Sequence, residues 1–294
     1  MAETRNVEEV RRVEEVSDTE AGCAVITGAS SGFGAIFAER LAKRGLPLVL
    51  TGRDEPRLTA VQEAVQRIAP DLGVEVVLGD LGTDAGVDAL LAHLNGRPID
   101  VLVNNAGFGT YGPLSKASKA DAARENDLVA VNVNALVRLT CAVLPGMVAR
   151  GKGGILNVAS TIAFQPAPFQ ATYGASKAFV LSFSQALWAE TRGSGVTVSA
   201  LCPGPTRTGF VDALGSDVSH TQIYRRLAKP EPIVVAGLRA LDRGRPVAVP
   251  GLRNRILANS GRFAPGWVTA LLAGRMLRPS KATEGSEASR LAVR

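Results

Sequence analysis

A tyrosine followed four residues later by a lysine, in Ala171-Thr172-Tyr173-Gly174-Ala175-Ser176-Lys177, is the pair in this chain whose types and spacing can move a proton. On a helix that spacing sets both side chains on one face. A phenol ordinarily keeps its proton to about pH 10, and a cation beside it favours the phenolate, so the pair can serve as acid or base nearer neutrality. Ser160 lies upstream, at the end of a short apolar run. If the loop between them folds back, its hydroxyl and the phenol converge on one carbonyl oxygen. A Tyr and a Lys at this spacing also commonly pack along a helix surface, so the surrounding chain has to decide.

A second group of residues could hold a dinucleotide. The apolar run Cys23-Ala24-Val25-Ile26 leads straight into Thr27-Gly28-Ala29-Ser30-Ser31-Gly32-Phe33-Gly34. Glycines allow a tight turn and close backbone approach, and the helix expected next offers N–H groups and a positive dipole end to a pyrophosphate. After the second apolar run comes Thr51-Gly52-Arg53-Asp54, where a carboxylate would bind a free ribose hydroxyl and a guanidinium would pair with a 2′-phosphate. Arg53 favours NADP(H). NAD(H) stays open, because a one-residue shift would put Asp54 in that place. Asp80, after the third run, can reach an adenine edge, and Asn104, after the fourth, can stitch neighbouring loops.

The elements that must position these groups follow from apolar periodicity. Seven short apolar runs, at 23–26, 48–50, 74–78, 101–103, 155–158, 196–201 and 246–249, alternate with helical patterns at 33–44, 57–68, 119–149 and 173–192. Runs apolar on both faces and separated by helices define a doubly wound α/β domain with a parallel sheet covered on each side. Gly45 suits a helix C-terminus and Pro70 stops the second helix. No linker divides residues 21–278, which form a single domain. The stretch 205–243 is expected to carry a substrate lid. Residues 253–278 read as a helical extension broken at Pro265-Gly266. Residues 1–20 are expected to be a flexible tail and 279–294 a disordered one.

Composition narrows the function classes. The chain has 294 residues and 46% hydrophobic side chains, enough for a sizeable core. It lacks an uninterrupted apolar run of membrane-spanning length, and a charged rather than apolar N-terminus points to a cytoplasmic protein. With only 2 histidines and 3 cysteines, none at ligand spacing, no metal site is expected, and the cysteines read as buried free thiols. The net charge of +6 comes from dispersed Lys and Arg, so no nucleic-acid partner is expected.

These residues together resemble the classical short-chain dehydrogenase/reductase family. The resemblance rests on Thr27 to Gly34 as TGxxxGxG, Asn104 to Gly107 as NNAG, Asn132 in a VNV context, Ser160, Tyr173 with Lys177 as YxxxK, and Pro203-Gly204 followed by Thr208. It implies a Rossmann-type fold with seven parallel strands in the order 3-2-1-4-5-6-7, assembled as a homodimer or homotetramer. It also implies an NAD(P)(H)-dependent oxidoreductase that interconverts a carbonyl and a secondary alcohol. Tyr173 would be the proton donor, Ser160 would hold the carbonyl oxygen, and Lys177 would lower the phenol pKa and bond the nicotinamide ribose. Asn132 would keep a water in the relay, with Asn134 as the alternate. The cofactor set comprises Gly28, Ser30, Ser31, Gly32, Phe33, Gly34, Arg53, Asp80, Leu81, Asn105, Ala106, Gly107, Tyr173, Lys177, Pro203, Gly204, Thr206 and Thr208. A non-catalytic, cofactor-binding regulator on the same fold is the rival, and retention of the four catalytic-type residues weighs against it.

Substrate identity is less legible. Phe164, Gln165, Phe169 and Gln170, between Ser160 and Tyr173, and Phe210 in the lid are expected to line the pocket. Their character suits a moderately hydrophobic ketone or ketoacyl compound. From Pro250 onward the arginine-rich, apolar segment resembles the C-terminal extension of bacterial reductases related to acyl-lipid and ketoacyl reductases. It is a candidate cover for the pocket or contact for anionic lipid.

Overall fold

The computed structural model describes residues 22–210, 214, 227–260 and 265–278. The expected tails, 1–20 and 279–294, lie outside the described residues, as does most of the lid between 211 and 226. Seven parallel strands form one sheet in the order β3-β2-β1-β4-β5-β6-β7. They are β1 (Cys23–Thr27), β2 (Leu48–Gly52), β3 (Val74–Leu78), β4 (Ile99–Asn104), β5 (Gly153–Val158), β6 (Val196–Leu201) and the short edge strand β7 (Val247–Ala248). The helices are α1 (Gly32–Ala42), α2 (Glu55–Ile68), α3 (Asp84–Leu94), α4 (Lys119–Val129), α5 (Leu136–Ala149), α6 (Ala171–Glu190), α7 (Pro230–Asp242), α8 (Leu252–Ser260) and α9 (Gly266–Leu277). Both the sheet order and its all-parallel pairing agree with the expected Rossmann-type architecture.

Alternation along the strands divides the core. Ala24, Ile26, Leu48, Leu50, Val103 and Leu156 pack with Phe37, Leu41, Leu58 and Leu238 on one face. Val25, Val49, Leu102 and Ile155 pack with Leu90, Leu139, Val143 and Met147 on the other. A strand buried on both faces has no polar side to spend, which is why these runs are almost continuously apolar. Gly45 accepts the left-handed conformation just past α1, at φ +77°.

Two expectations change in detail. The stretch 205–243 divides, because α7 buries Ile233, Val234, Leu238 and Leu241 in the core beside β5 and β6. Apolar residues at helical spacing make it a sheet-covering helix, so the expected lid can extend no further than Lys229. Of the three cysteines, Cys23 and Cys202 are buried and Cys141 is exposed on α5. Among the described residues one helical stretch, Lys119–Ala149, is long and apolar enough to cross a membrane. Its stripe of Leu136, Leu139, Val143 and Met147 is buried in the core.

Candidate active site

The turn between β1 and α1 is built for close approach. Gly28 and Gly32 have φ of +61° and +57°, where a side chain strains the backbone. A Cβ on Gly34 would sit 2.2 Å from the Gly28 carbonyl oxygen, so the helix packs directly on its own entry turn. Ser31 is the N-cap of α1, and its side chain makes no capping bond. Nothing in the side chains of that cap closes the dipole's positive end to an anion. Thr208 comes from beyond β6 to lie over this turn, 3.2 Å from where a Cβ on Gly32 would be. Phe33 turns inward and packs on the core, leaving its backbone at the turn.

At the ends of β2 and β3 the charges sort themselves. Asp54 is the N-cap of α2: its carboxylate accepts from the Arg57 amide at 3.1 Å and pairs with the Arg57 guanidinium at 3.2 Å. The competing carboxylate is thereby occupied by local structure. Arg53 projects into solvent, 77% exposed, with its guanidinium 3.6 Å from Asp80. Asp80 also accepts from the Gly82 amide at 2.9 Å. Leu81 is buried in the core. Ser30 lies beside Gly52, where a Cβ would be 3.7 Å from its hydroxyl.

The loop after β4 connects these parts. Thr27 accepts the amides of Asn105 and Ala106 at 3.0 and 2.9 Å, and the Asn105 amide group donates to the carbonyls of Thr27 and Gly28. Asn105, rather than Asn104, therefore stitches the strand-end loops. Asn104 points into the fold, donating to Asn157 and Thr140. A Cβ on Gly107 would lie 2.8 Å from Asn132 Oδ1 and 3.3 Å from Lys177 Nζ. One glycine thus leaves the space that two candidate catalytic side chains flank.

Asn132 sits in a π turn, Ala130–Ala135, joining α4 to α5. Its side chain is buried and triply held: it donates to the Phe108 carbonyl at 3.0 Å and to Ser176 at 3.1 Å, and accepts the Phe108 amide at 3.1 Å. Wide helical turns of this kind loosen the regular backbone ladder and recur at functional sites. The alternate, Asn134, is exposed.

Lys177 is 5% exposed and donates to the Val158 carbonyl at 2.9 Å, two residues before Ser160. Its Nζ is 5.9 Å from the centre of the Tyr173 ring. Burial pulls the Lys177 pKa down to about 8, opposed by the charge that a Cys202 thiolate would carry. Burial in turn holds the Cys202 thiol up to about 12, so that opposing charge is absent near neutral pH. Ser160 caps the 3₁₀ turn Thr161–Phe164, accepting the Ile162 amide at 3.3 Å. The Thr161 amide donates to the Pro203 carbonyl, which anchors the segment Pro203-Gly204-Pro205-Thr206 to the serine. Thr206 closes that segment on itself through the Gly204 carbonyl. Gly204 receives Asn254 of α8, which leaves no room there for a side chain.

The expected substrate residues separate. The Phe210 ring lies 5.2 Å from the Tyr173 ring, and Phe210 and Leu214 both press on Gly109. Phe169 occupies the left-handed region at φ +66°, with its ring 6.4 Å from Tyr111 and its carbonyl accepting the Gly112 amide. A bulky residue there is strained and persists only when its neighbours fix it. Gln170 is buried and donates to the Thr110 carbonyl, tying two loops together. Phe164 packs into the core beneath α6, and Gln165 is exposed. These two do not join Tyr173. The helical extension expected over 253–278 is present as α8 and α9, and α9 reaches these loops: its Gly274 lies against Pro168 and its Leu277 carbonyl accepts the Tyr111 hydroxyl.

Fold and site together define a dinucleotide-binding α/β protein with a serine, a tyrosine and a buried lysine at the carboxyl ends of its strands. A model of the short chain dehydrogenase family matches residues 22–219, and the chain belongs to that family. It is 38% identical over 184 residues to a very-long-chain 3-oxoacyl-CoA reductase of Anas platyrhynchos, covering 61% of this chain and 58% of that protein. It is 39% identical over 208 residues to a sulfoacetaldehyde reductase of Chromohalobacter salexigens, covering 69% of this chain and 80% of that one. A short-chain dehydrogenase from Sphingobium yanoikuyae in complex with NADPH superposes with a TM-score of 0.73 at 34% identity, over 89% of this chain and 97% of that one.

Proposed function

We propose that the protein is an NAD(P)(H)-dependent oxidoreductase that interconverts a carbonyl and a secondary alcohol, working as a reductase of a bulky, apolar ketone or 3-oxoacyl compound. The observation that carries it is the enclosure around Gly107, where Asn132 and the buried Lys177 flank one point beneath Tyr173. A purely structural Tyr–Lys pair would leave the ammonium in water. Here it is taken out of water, which is costly unless its charge is used.

The glycine turn fits a dinucleotide: its positive-φ glycines, its open helix N-terminus and the Thr208 contact form a cradle that any Cβ would fill. Gly28, Ser30, Ser31 and Gly32 would hold the pyrophosphate, with Thr208 over it, and Lys177 would reach the nicotinamide ribose. When bound, the nicotinamide supplies the hydride. Tyr173 gives its proton to the carbonyl oxygen and takes it back in the reverse direction. The Ser160 hydroxyl holds that oxygen. Lys177 favours the phenolate that remains, and Asn132 holds the loop at Phe108 that lines the relay.

NADP(H) is the preferred cofactor in this reading. Arg53 is exposed at the end of β2 while Asp54 is consumed as a helix cap, and the similar Sphingobium structure is an NADPH complex. The named relatives act on chemically different compounds, so the substrate class rests on Phe210 against Tyr173 and on Leu214 beside it over Gly109. The test is a ketone series monitored by NADPH absorbance. Turnover of bulky apolar ketones is expected to exceed that of small anionic aldehydes by at least about tenfold, the discrimination of one or two buried methylenes. Arg53→Ala is expected to cut the NADPH over NADH preference about 10-fold to 100-fold, the worth of a charge-assisted bond. An unchanged ratio would reject the cofactor assignment. We also propose a cytoplasmic homodimer or homotetramer, on the family resemblance alone; sedimentation of the purified chain tests the oligomeric state.

A further inference from the structure

We propose that the outer face of α8 and α9 docks the protein onto an anionic lipid bilayer. Those helices bury little: Ala258 in α8, and Ala273 and Leu277 in α9. What they show to solvent is apolar, with Leu252 72% exposed, Trp267 69%, Leu271 63% and Ile256 60%, joined by Leu257, Leu272 and Met276. The other exposed large apolar residues, such as Ile68, Leu114 and Phe179, are scattered over separate elements. Exposed large apolar residues gathered on two successive helices mark a contact site, whereas scattered ones are ordinary.

Charge selects the occupant. Arg253 and Arg255 of α8, Arg275 of α9 and Arg278 just after it are exposed, and no Asp or Glu occurs in the sequence between Asp242 and Glu284. Elsewhere several cations are matched by carboxylates, as with Arg44 and Asp242 or Arg138 and Asp84. Exposed apolar residues interspersed with arginines that have no carboxylate partner among the described residues, with a tryptophan at the start of α9, are complementary to phosphate headgroups above acyl chains. A second copy fits worse. A two-fold contact through this face would set arginines against arginines with no carboxylate to offset them. The acidic segment 1–20 leaves from Gly22 at the amino end of β1, whereas α8 packs on the turn after the carboxyl end of β5.

The full chain is tested by co-sedimentation with vesicles of phosphatidylglycerol or of phosphatidylcholine, at low and high salt. Binding to phosphatidylglycerol is expected to exceed binding to phosphatidylcholine at least about tenfold and to fall with salt. Replacing Arg275 and Arg278 by Gln is expected to weaken it roughly fivefold for each, the effect of about one kcal/mol per basic residue. The chain has 2 tryptophans, and Trp188 is fixed by its bond to the Gly244 carbonyl. A blue shift in emission on vesicle addition therefore reports Trp267 and is expected to vanish in Trp267→Phe. Far-UV circular dichroism and melting of each variant separate loss of docking from loss of fold. Equal partition between the two lipids, no partition at all, or a Trp267→Glu variant that splits an oligomer while the parent ignores vesicles would each overturn the proposal.

Discussion

The two ends of the candidate site are made of different material. The cofactor side, from β1 to the end of β4, is shaped by backbone: positive-φ glycines, an uncapped helix and carbonyls tied by Asn105. The expected substrate side is shaped by side chains from distant segments, with Phe210 against Tyr173, Leu214 beside Phe210 over Gly109, and Pro168 against α9. A phosphate is the same in every dinucleotide, and the backbone that receives it tolerates little change. Ketones differ, and packed side chains can be exchanged without rebuilding the sheet.

Breaking the chemistry while sparing the cradle gives the largest effect. Tyr173→Phe is expected to lower kcat about 10²-fold to 10⁴-fold, the contribution of a general acid, with the NADPH Kd nearly unchanged by fluorescence titration. Similar losses in both would mean that the two ends are not separable.

One substitution made on both sides sharpens the contrast. Gly34→Ala drives a Cβ to 2.2 Å from a backbone oxygen that cannot retreat, and is expected to weaken NADPH binding by at least about tenfold. Gly274→Ala meets only Pro168 at 3.4 Å. It is expected to leave the NADPH Kd unchanged, alter the ketone KM less than about threefold, and add up to about 1 kcal/mol of helix stability.

The pH profile probes the boundary between the sides. Above pH 8 Lys177 loses its charge, so kcat/KM for reduction is expected to fall by up to about tenfold per pH unit, and a flat profile to pH 9 would disconnect the lysine from the tyrosine. Stability moves the other way. Burial lowers the folded-state pKa from 10.5 to about 8, so between these values the unfolded chain holds the proton more often than the folded chain. Folding stability should therefore rise across that window, and the penalty should be fully present below it. In a Lys177→Met variant that upward slope is expected to disappear from denaturant melts.

The smallest effect concerns the C-terminal tie. Tyr111→Phe removes a hydroxyl that donates to Leu277 and is expected to cost about 1 kcal/mol of stability, raising the ketone KM a few-fold and leaving cofactor affinity alone.

What was legible in the sequence follows the same division. The five inner strands are buried on both faces and must be apolar throughout, so they showed; the half-buried edge strands β3 and β7 showed through their valine-rich runs, and a cradle that needs glycine advertises its spacing. The role of Asp54 was also within reach, since Asp54-Glu55-Pro56 carries the cap and early proline of a helix start. The π turn at Asn132 has no such signature: it is one misplaced hydrogen bond within an otherwise helical pattern. Phe164 and Phe169 look alike on paper. Which of them enters the core depends on a 3₁₀ turn and a left-handed residue, set by contacts with Gly112 and α6. The contact of Gly274 with Pro168 is a meeting of segments far apart in the chain, invisible to any local window.

The loop from Asn105 to Gly112 ties to five different parts of the molecule: the cradle at Asn105 and Ala106, the relay at Gly107 and Phe108, the lid at Gly109, the substrate loop at Thr110 and Gly112, and α9 at Tyr111. For recombination with relatives this makes it a stretch without a safe crossover point. A chimera joined inside it would inherit half of its appointments from each parent, whereas joints before Asn104 or after Lys116 would transfer them whole.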